Sequence, residues 1–330
     1  MFTSRTPYRV SFFGGGTDYK GWYAKNGGAF ISMGIDKYCY LNVRKLPPFF
    51  HYKNRLVWSK IEQVERISDI QHPAIRAGLE YENVKDIELH HIGDLPARSG
   101  LGSSSSFAVG LLNVLRMLRG EMTEKYKLAK DAIHLERVIL NEAGGIQDQI
   151  AATYGGLNYV KIEQDGNFEV TKINLDQDKR KMLESSLLLV FTGIFRNSYE
   201  LASEQSSNIT KTTEQLKAIA QMVETARLIL EQSDFVKDFG DLLNETWHAK
   251  KAINKKISNS VVDQIYDSAI QAGAYGGKLL GAGAGGFMIF IVPPNKMKNV
   301  QKSLGQLIHT GVKMDLYGTQ AYPSNLGLKG

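Results

Sequence analysis

The segment running from Pro96 through Arg98, Ser99, Gly100, Leu101 and Gly102 to Ser103, Ser104, Ser105 and Ser106 constrains this chain more than any other. Before it, Asp86 to Ile92 alternates Ile87, Leu89 and His91 against Glu88 and His90, the period of a strand. After it, Phe107 to Leu118 is an apolar run that reads as a buried helix, ended by Gly120. A strand that turns through glycines into a helix gathers backbone N–H groups at the positive end of the helix dipole. That arrangement suits an anion, above all a polyphosphate. A plain helix start needs only one capping serine. Four in a row, in a helix that is otherwise buried, each need a partner for the hydroxyl. The segment is not a Walker A loop, since no Gly-Lys-Ser or Gly-Lys-Thr closes it.

With 330 residues the chain is too long for one ordinary core and suits two domains, divided near residue 180 into 1–180 and 181–330. Its 43% apolar and 22% charged residues are typical of a globular protein, and no uninterrupted apolar segment is long enough to span a bilayer. The N-terminal residues lack the apolar core of a signal peptide. Cys39 is the only cysteine, so no internal disulfide forms, and the cytoplasm is the expected compartment. The net charge of +6 agrees with small anionic substrates as well as with nucleic acid. The densest basic stretch, Lys250, Lys251, Lys255 and Lys256, has helical spacing and reads as a solvated helix face, with no interleaved aromatic residues to stack bases. Neither nucleic acid nor a membrane is expected as a partner.

Strands are expected at Arg9 to Phe13, Tyr38 to Arg44 and Ser186 to Thr192. A second helix is expected over Lys125 to Leu140, and a hairpin around Gln164 to Asn167. From Ser198 to about Ala272 the chain reads as mostly helical, followed by a glycine cluster and the apolar strand Phe287 to Val292. Strands with interspersed helices, then helices with few strands, predict an α+β fold rather than a βαβ repeat.

Other constellations carry chemistry. Arg9 to Tyr19 is a glycine turn at a strand end, with Gly14, Gly15, Gly16, Thr17 and Asp18. Asp18 beside that turn suits the hydroxyls of a sugar or polyol, or serves as an Asx-turn or helix cap. Glu136 sits on or beside the apolar face of its helix, where a carboxylate needs a metal ion or an arginine. Twelve residues on, Asp148 follows Gly144 and Gly145 on a hinged segment. A phosphate cradle, a divalent-ion ligand, a base and a balancing cation are the parts of phosphoryl transfer to a hydroxyl. Gly281, Gly283 and Gly286 make a formal G-x-G-x-x-G. A dinucleotide loop follows a strand and opens a helix; here a helix is expected before and a strand after, which disfavours an NAD enzyme. The seven histidines show no metal-ligand spacing.

Taken together, these residues resemble the galactokinase, homoserine kinase, mevalonate kinase and phosphomevalonate kinase superfamily. Arg9 to Tyr19, Pro96 to Ser106 and Lys278 to Gly286 match its three motifs in order, across nearly the whole chain. Phe13 to Asp18, Glu136-Arg137 and Gly144 to Gln149 are similar to its heptose kinase and fucokinase-like branch. The resemblance implies a two-domain α+β fold with the site in the interdomain cleft. It implies ATP and Mg2+ as cofactors, and transfer of phosphate to the anomeric hydroxyl of D-glycero-D-manno-heptose 7-phosphate on the route to GDP-heptose.

The resemblance also implies roles. Pro96, Arg98, Ser99, Gly100, Leu101, Gly102, Ser103, Ser104 and Ser105 would surround the ATP phosphates. Ser104 and Glu136 would hold the metal, with the neighbouring serines capping the helix and lining the nucleotide. Asp148 aligns with the catalytic aspartate, and Arg9 with the basic residue that stabilises it. Gly15, Gly16, Thr17, Asp18 and Gly283 would meet the sugar. On position and charge alone, and not from the resemblance, Arg196, Lys20 and Lys25 are candidates for its distal phosphate. The spacing from Glu136 to Asp148 is one residue longer than in mevalonate-kinase-like members. Two alternatives stand beside this reading: a fucokinase-like enzyme of an unphosphorylated sugar, and a non-catalytic sugar and nucleotide sensor.

Overall fold

Runs of β-branched and aromatic residues bring the N-terminal third together as antiparallel strands. The computed structural model describes residues 1–97, 99–195 and 212–324. The first half contains β1 (Phe2–Phe13), α1 (Lys20–Asn26), β2 (Gly28–Lys45), β3 (Asn54–Val57), β4 (Ile61–Val64), α2 (Pro73–Tyr81) and β5 (Ile87–Gly93). Then come α3 (Ser103–Leu118), α4 (Lys125–His134), a π-turn (Leu135–Ile139), α5 (Gln147–Tyr154), β6 (Leu157–Ile162), β7 (Phe168–Lys172) and α6 (Gln177–Ser186). The rest comprises β8 (Leu187–Phe191), α7 (Thr213–Glu231), α8 (Val236–Ile253), α9 (Ser260–Gln271), β9 (Gly276–Leu279), β10 (Phe287–Ile291), α10 (Met297–Ser303), β11 (His309–Thr310) and β12 (Gln320–Pro323).

Two sheets result, as an α+β architecture requires. The first runs β12-β1-β2-β5-β3-β4, with β6 joined to β2 and β7 to β6; the second runs β11-β8-β10-β9. β2 is the spine of the first sheet. Its N-terminal half pairs with β6, its C-terminal half with β5, and β1 covers its other side. β12 pairs antiparallel with β1, so a strand from the end of the chain completes the sheet begun at Phe2. The division expected at residue 180 therefore falls inside α6, and residues 320–323 belong with the first sheet rather than the second.

α3 lies between layers. Phe107, Leu111, Val114 and Leu115 join the core that contains Val10, Met33 and Leu41 of the sheet. Ala108, Val109 and Leu112 face Leu128 and Ala132 of α4 and Ala152 of α5. Each large apolar side chain contributes about 1.5–3 kcal/mol on burial, so the start of α3 is anchored from two directions.

Three sequence expectations change. The second helix does not run unbroken to Leu140; α4 gives way to the π-turn at Leu135. A π-turn accommodates one extra residue within a helix, and this one contains Glu136. The segment before Gly281 is the strand β9 rather than a helix, so the C-terminal glycine loop closes a hairpin with β10. It still opens no helix, and the dinucleotide topology stays absent. Lys250 is buried on α8 beside Leu243 and Trp247 instead of lying on a solvated face, while Lys255 and Lys256 are exposed. No helix among the described residues is long and apolar enough to cross a membrane.

Candidate active site

The site forms where β1, the start of α3 and the start of α5 meet. Gly100 and Gly102 both take positive φ, 85° and 73°, and Gly102 is the residue at which α3 begins. A side chain at such a φ is strained. A Cβ on Gly102 would also lie 3.3 Å from Arg9 Cγ and 3.4 Å from Asp148 Cγ. The cap is thus glycine, not serine, and no side chain caps the helix. The N–H groups of a first helical turn have no partner within the helix, so this start suits an anionic ligand.

Arg9 is 4% exposed and ties the parts together. Its Nε and Nη2 donate to Asp148 Oδ1 at 2.9 and 2.7 Å, and its Nη1 donates to the Gly100 carbonyl at 2.7 Å. Its own N–H donates to the Leu101 carbonyl at 3.1 Å. One guanidinium therefore fixes both the turn that leads into α3 and the carboxylate beside it. Both side-chain bonds to Asp148 fall on Oδ1, which leaves Oδ2 outside the clamp. Asp148 stands in the first turn of α5 and is partly open.

Asp18 holds the same helix start. Its Oδ1 accepts from Gly16 N at 2.9 Å and its Oδ2 from Gln147 N at 3.2 Å, and Ile146 N donates to its carbonyl at 3.1 Å. Burial raises its carboxyl above the usual range; Asp148 adds to the rise and the two N–H donors oppose it. Gly145 lies so near that a Cβ there would overlap the Asp18 carboxylate. Arg137 pins the approach to this segment, donating to Gly145 O at 3.0 Å and Glu142 O at 3.1 Å.

Glu136 is 1% exposed and faces the first turn of α3. The hydroxyl that meets it belongs to Ser105, at 2.6 Å, and Gln149 Nε2 donates to the same oxygen. Ser104, expected there, is exposed, because successive helical side chains diverge by about 100°. Ser106 instead turns to the Pro7 carbonyl at 2.9 Å. Among the described residues, Glu136 Oε1 and Gln149 Oε1 are buried without a hydrogen-bond partner. Glu142 lies beside Glu136; burial and then the Glu136 charge push it up to about 7, with Arg137 opposing. Orphaned oxygens, clustered carboxyls and a serine hydroxyl fit a hard divalent cation such as Mg2+. Among the described residues no cluster of three or more His, Cys, Asp or Glu side chains forms a protein-only cage, so phosphate oxygens and hydroxyls would complete the ligand set.

The C-terminal glycine loop closes against this arrangement. Phe287 N donates to Ser99 O at 3.0 Å. Lys250 Nζ holds the loop, donating to Leu279 O at 3.2 Å and Gly281 O at 2.6 Å. Gly283, expected against the sugar, instead packs on Ile257; a Cβ there would lie 2.8 Å from its Cα. Thr17, also expected there, is fully buried, with its hydroxyl facing Gly14 O and Ala29 O at 2.8 and 2.7 Å. Gly15 is half-buried, Gly16 is buried, Pro96 is exposed and Ser99 is buried. Lys20 and Lys25 are exposed on α1. Arg98 and Arg196 lie outside the described residues.

The sequence expectations assigned no role to Ser105 in the metal site, nor any to Gln149, Glu142, Lys250 or Lys278. Lys278 is 2% exposed, and burial pushes its ammonium down to about 7, aided by Arg9 and opposed by Asp18. The available signal was a lone charge next to an apolar stripe: Lys250 follows Leu243 and Trp247 at helical spacing.

A glycine-capped helix start that suits an anion, abutted by a clamped carboxylate, fits a phosphoryl-transfer class of site. Residues 67–156 match the family described as GHMP kinases N terminal domain, and residues 230–309 match GHMP kinases C terminal. The chain belongs to the GHMP kinase family and is a phosphotransferase with an alcohol group as acceptor. It is 31% identical over 316 residues to the D-glycero-alpha-D-manno-heptose 7-phosphate kinase of Campylobacter jejuni, covering 91% of this chain and 92% of that one. It is 23% identical to the bifunctional fucokinase/GDP-fucose pyrophosphorylase of Arabidopsis thaliana, over 93% of this chain and 31% of that one. Its fold matches the crystal structure of a D-glycero-D-manno-heptose 1-phosphate kinase from Bacteroides thetaiotaomicron, with a TM-score of 0.81, 24% identity and coverage of 98% and 99%.

Proposed function

We propose that this chain transfers the γ-phosphoryl group of ATP to the anomeric hydroxyl of D-glycero-D-manno-heptose 7-phosphate, giving the 1,7-bisphosphate of the route to GDP-heptose. The observation that carries it is Asp148, held by Arg9 against Gly102 at the start of α3. The base for the acceptor and the cradle for the donor are then in van der Waals reach of one another. Likeness to the Campylobacter enzyme over nearly all of both chains supports the choice of acceptor.

In this reading the N–H groups of the first turn of α3 bind the ATP phosphates, and Asp18 receives a sugar hydroxyl. Asp148 Oδ2 takes the proton of the anomeric hydroxyl as its oxygen bonds to the γ-phosphorus. The bond from that phosphorus to the β,γ-bridging oxygen breaks, and ADP leaves. Arg9 keeps the carboxylate aimed and balances its charge. Glu136, with Ser104 and Ser105 at the helix start, would hold Mg2+, which neutralises phosphate charge when bound.

A panel of acceptors with ATP tests the proposal: heptose 7-phosphate, the unphosphorylated heptose, fucose, galactose and mevalonate. Turnover is expected to be greatest with heptose 7-phosphate. Robust turnover of fucose with none of heptose 7-phosphate overturns it in favour of the fucokinase-like reading. ATP and sugar binding without turnover of any acceptor leads to the sensor.

A further inference from the structure

Lys278 takes no part in the transfer step, yet it reaches the first glycine turn. It rises from β9 in the second sheet, between the buried residues Gly277 and Leu279. Its Nζ crosses to the first sheet and donates to Phe12 O at 2.8 Å, at the edge of the first glycine turn. The charges that act on it most are Arg9 and Asp18, which flank that same turn.

An ammonium buried to this degree is costly unless its surroundings use the charge. A methionine would fill the same space without that cost. Arg9 is committed to Asp148 and Gly100, so it does not answer the charge of Asp18 by contact. Asp18 is met by two backbone N–H groups, and Asp148 beside it disfavours its ionisation. Lys278 approaches from the opposite sheet and meets the Phe12 carbonyl, at the edge of the turn that ends in Asp18. It also lies three residues before Gly281, on the strand that enters the C-terminal glycine loop.

We propose that Lys278 is a positioning residue that, through Phe12 and the first glycine turn, sets the acceptor end of the site against the C-terminal glycine loop. The proposal rests on the reading of Asp18 as an acceptor ligand. A lysine there makes the placement of the sugar depend on the docking of the two sheets.

Four proteins test this: wild type, Lys278→Met, Asp18→Asn and the double variant. Each is assayed for KM and kcat with the best acceptor of the panel, and for binding of a non-hydrolysable ATP analogue. Lys278→Met is expected to raise acceptor KM about tenfold and leave the analogue Kd within about twofold. Its effect on acceptor KM is expected to largely vanish in the Asp18→Asn background, as for two residues acting on one contact. Should the methionine variant fail to fold, Lys278→Gln replaces it, since glutamine is polar but too short to keep the full reach to the Phe12 carbonyl. An unchanged acceptor KM, a parallel loss of analogue binding, or fully additive effects overturn the proposal. Normal acceptor KM in Asp18→Asn overturns the acceptor role of Asp18 itself, a separate result.

Discussion

Gly286 and Ser99 touch backbone to backbone: a Cβ on Gly286 would overlap the Ser99 carbonyl, which also accepts the N–H of Phe287 at 3.0 Å. The C-terminal glycine loop is thereby docked on the residue before Gly100. Gly286 also has φ of 96°, where side chains are strained. Gly286→Ala is expected to destabilise the fold by about 1–3 kcal/mol and to lower turnover, because Ser99 must move. Gly305 is the control. It too has positive φ, 62°, but nothing lies within 4 Å of a Cβ there. Gly305→Ala is expected to lose some stability and no activity. Thermal unfolding and kcat, measured on both, separate docking from backbone strain.

Asp148→Asn keeps the shape of the side chain and removes its basicity. Turnover is expected to fall by about two to four orders of magnitude, with affinity for ATP nearly unchanged. Near-normal kcat would remove Asp148 from the proton-transfer role.

Ser104 and Ser105 make separable predictions about the metal. Ser105 is tied to buried Glu136, whereas Ser104 is exposed at the helix start. Ser104→Ala is expected to raise the Mg2+ concentration needed for half-maximal rate while leaving stability unchanged. Ser105→Ala is expected to raise it too, and to destabilise the apo protein by about 1–3 kcal/mol, since Glu136 loses a buried donor. Titration of the rate with Mg2+, beside thermal melts without metal, checks both. Metal dependence unaltered in Ser104→Ala would leave Ser105 as the hydroxyl of the metal site.

One buried and one half-buried group give stability a pH dependence. Lys278 titrates near 7 in the folded protein and near 10.5 once unfolded, so the unfolded chain holds the extra proton between those values. The penalty of burying its charge is therefore relieved as pH rises from about 7 toward 10, by up to about 1.4 kcal/mol per pH unit. Glu142 is raised from 4.5 to about 7, so its contribution is present in acid and is lost as pH rises across that window. Urea unfolding of the metal-free protein at a series of pH values, with Lys278→Met and Glu142→Gln beside it, is expected to show each slope removed in turn. A wild-type-like slope in Lys278→Met would mean that Lys278 stays charged in the fold.

The strand, glycine turn and buried helix around residues 87–118 were legible because each has a local signal: alternation, paired glycines, then an apolar run. The clustering of Arg9, Asp148 and the serine loop followed from motif order. Other features depend on partners distant in sequence. β9 contains Gly276 and Gly277, poor strand formers, and is a strand because β10 pairs with it. β2 extends back to Gly28, through Gly34 and Asp36, because β1 and β6 hold both its edges. The apolar spacing over Lys125 to Leu140 reads as one helix and does not show the π-turn at Leu135–Ile139. The choice between Ser104 and Ser105 depends on where the helix begins, and a shift of one residue rotates every hydroxyl by about 100°. Lys250 shows how composition misleads, since a basic run was divided by the fold into one buried clamp and exposed neighbours.

The pairing of β12 with β1 bears on how this sheet forms. Phe2 to Arg5 register with Gln320 to Pro323, and Arg5 Nη2 donates to Gln320 Oε1 at 2.7 Å. Contacts this distant in sequence form late, because a long loop must close before they are gained. Until β12 docks, the outer edge of β1 has unpaired N–H and C=O groups, a template for pairing with another copy of the chain.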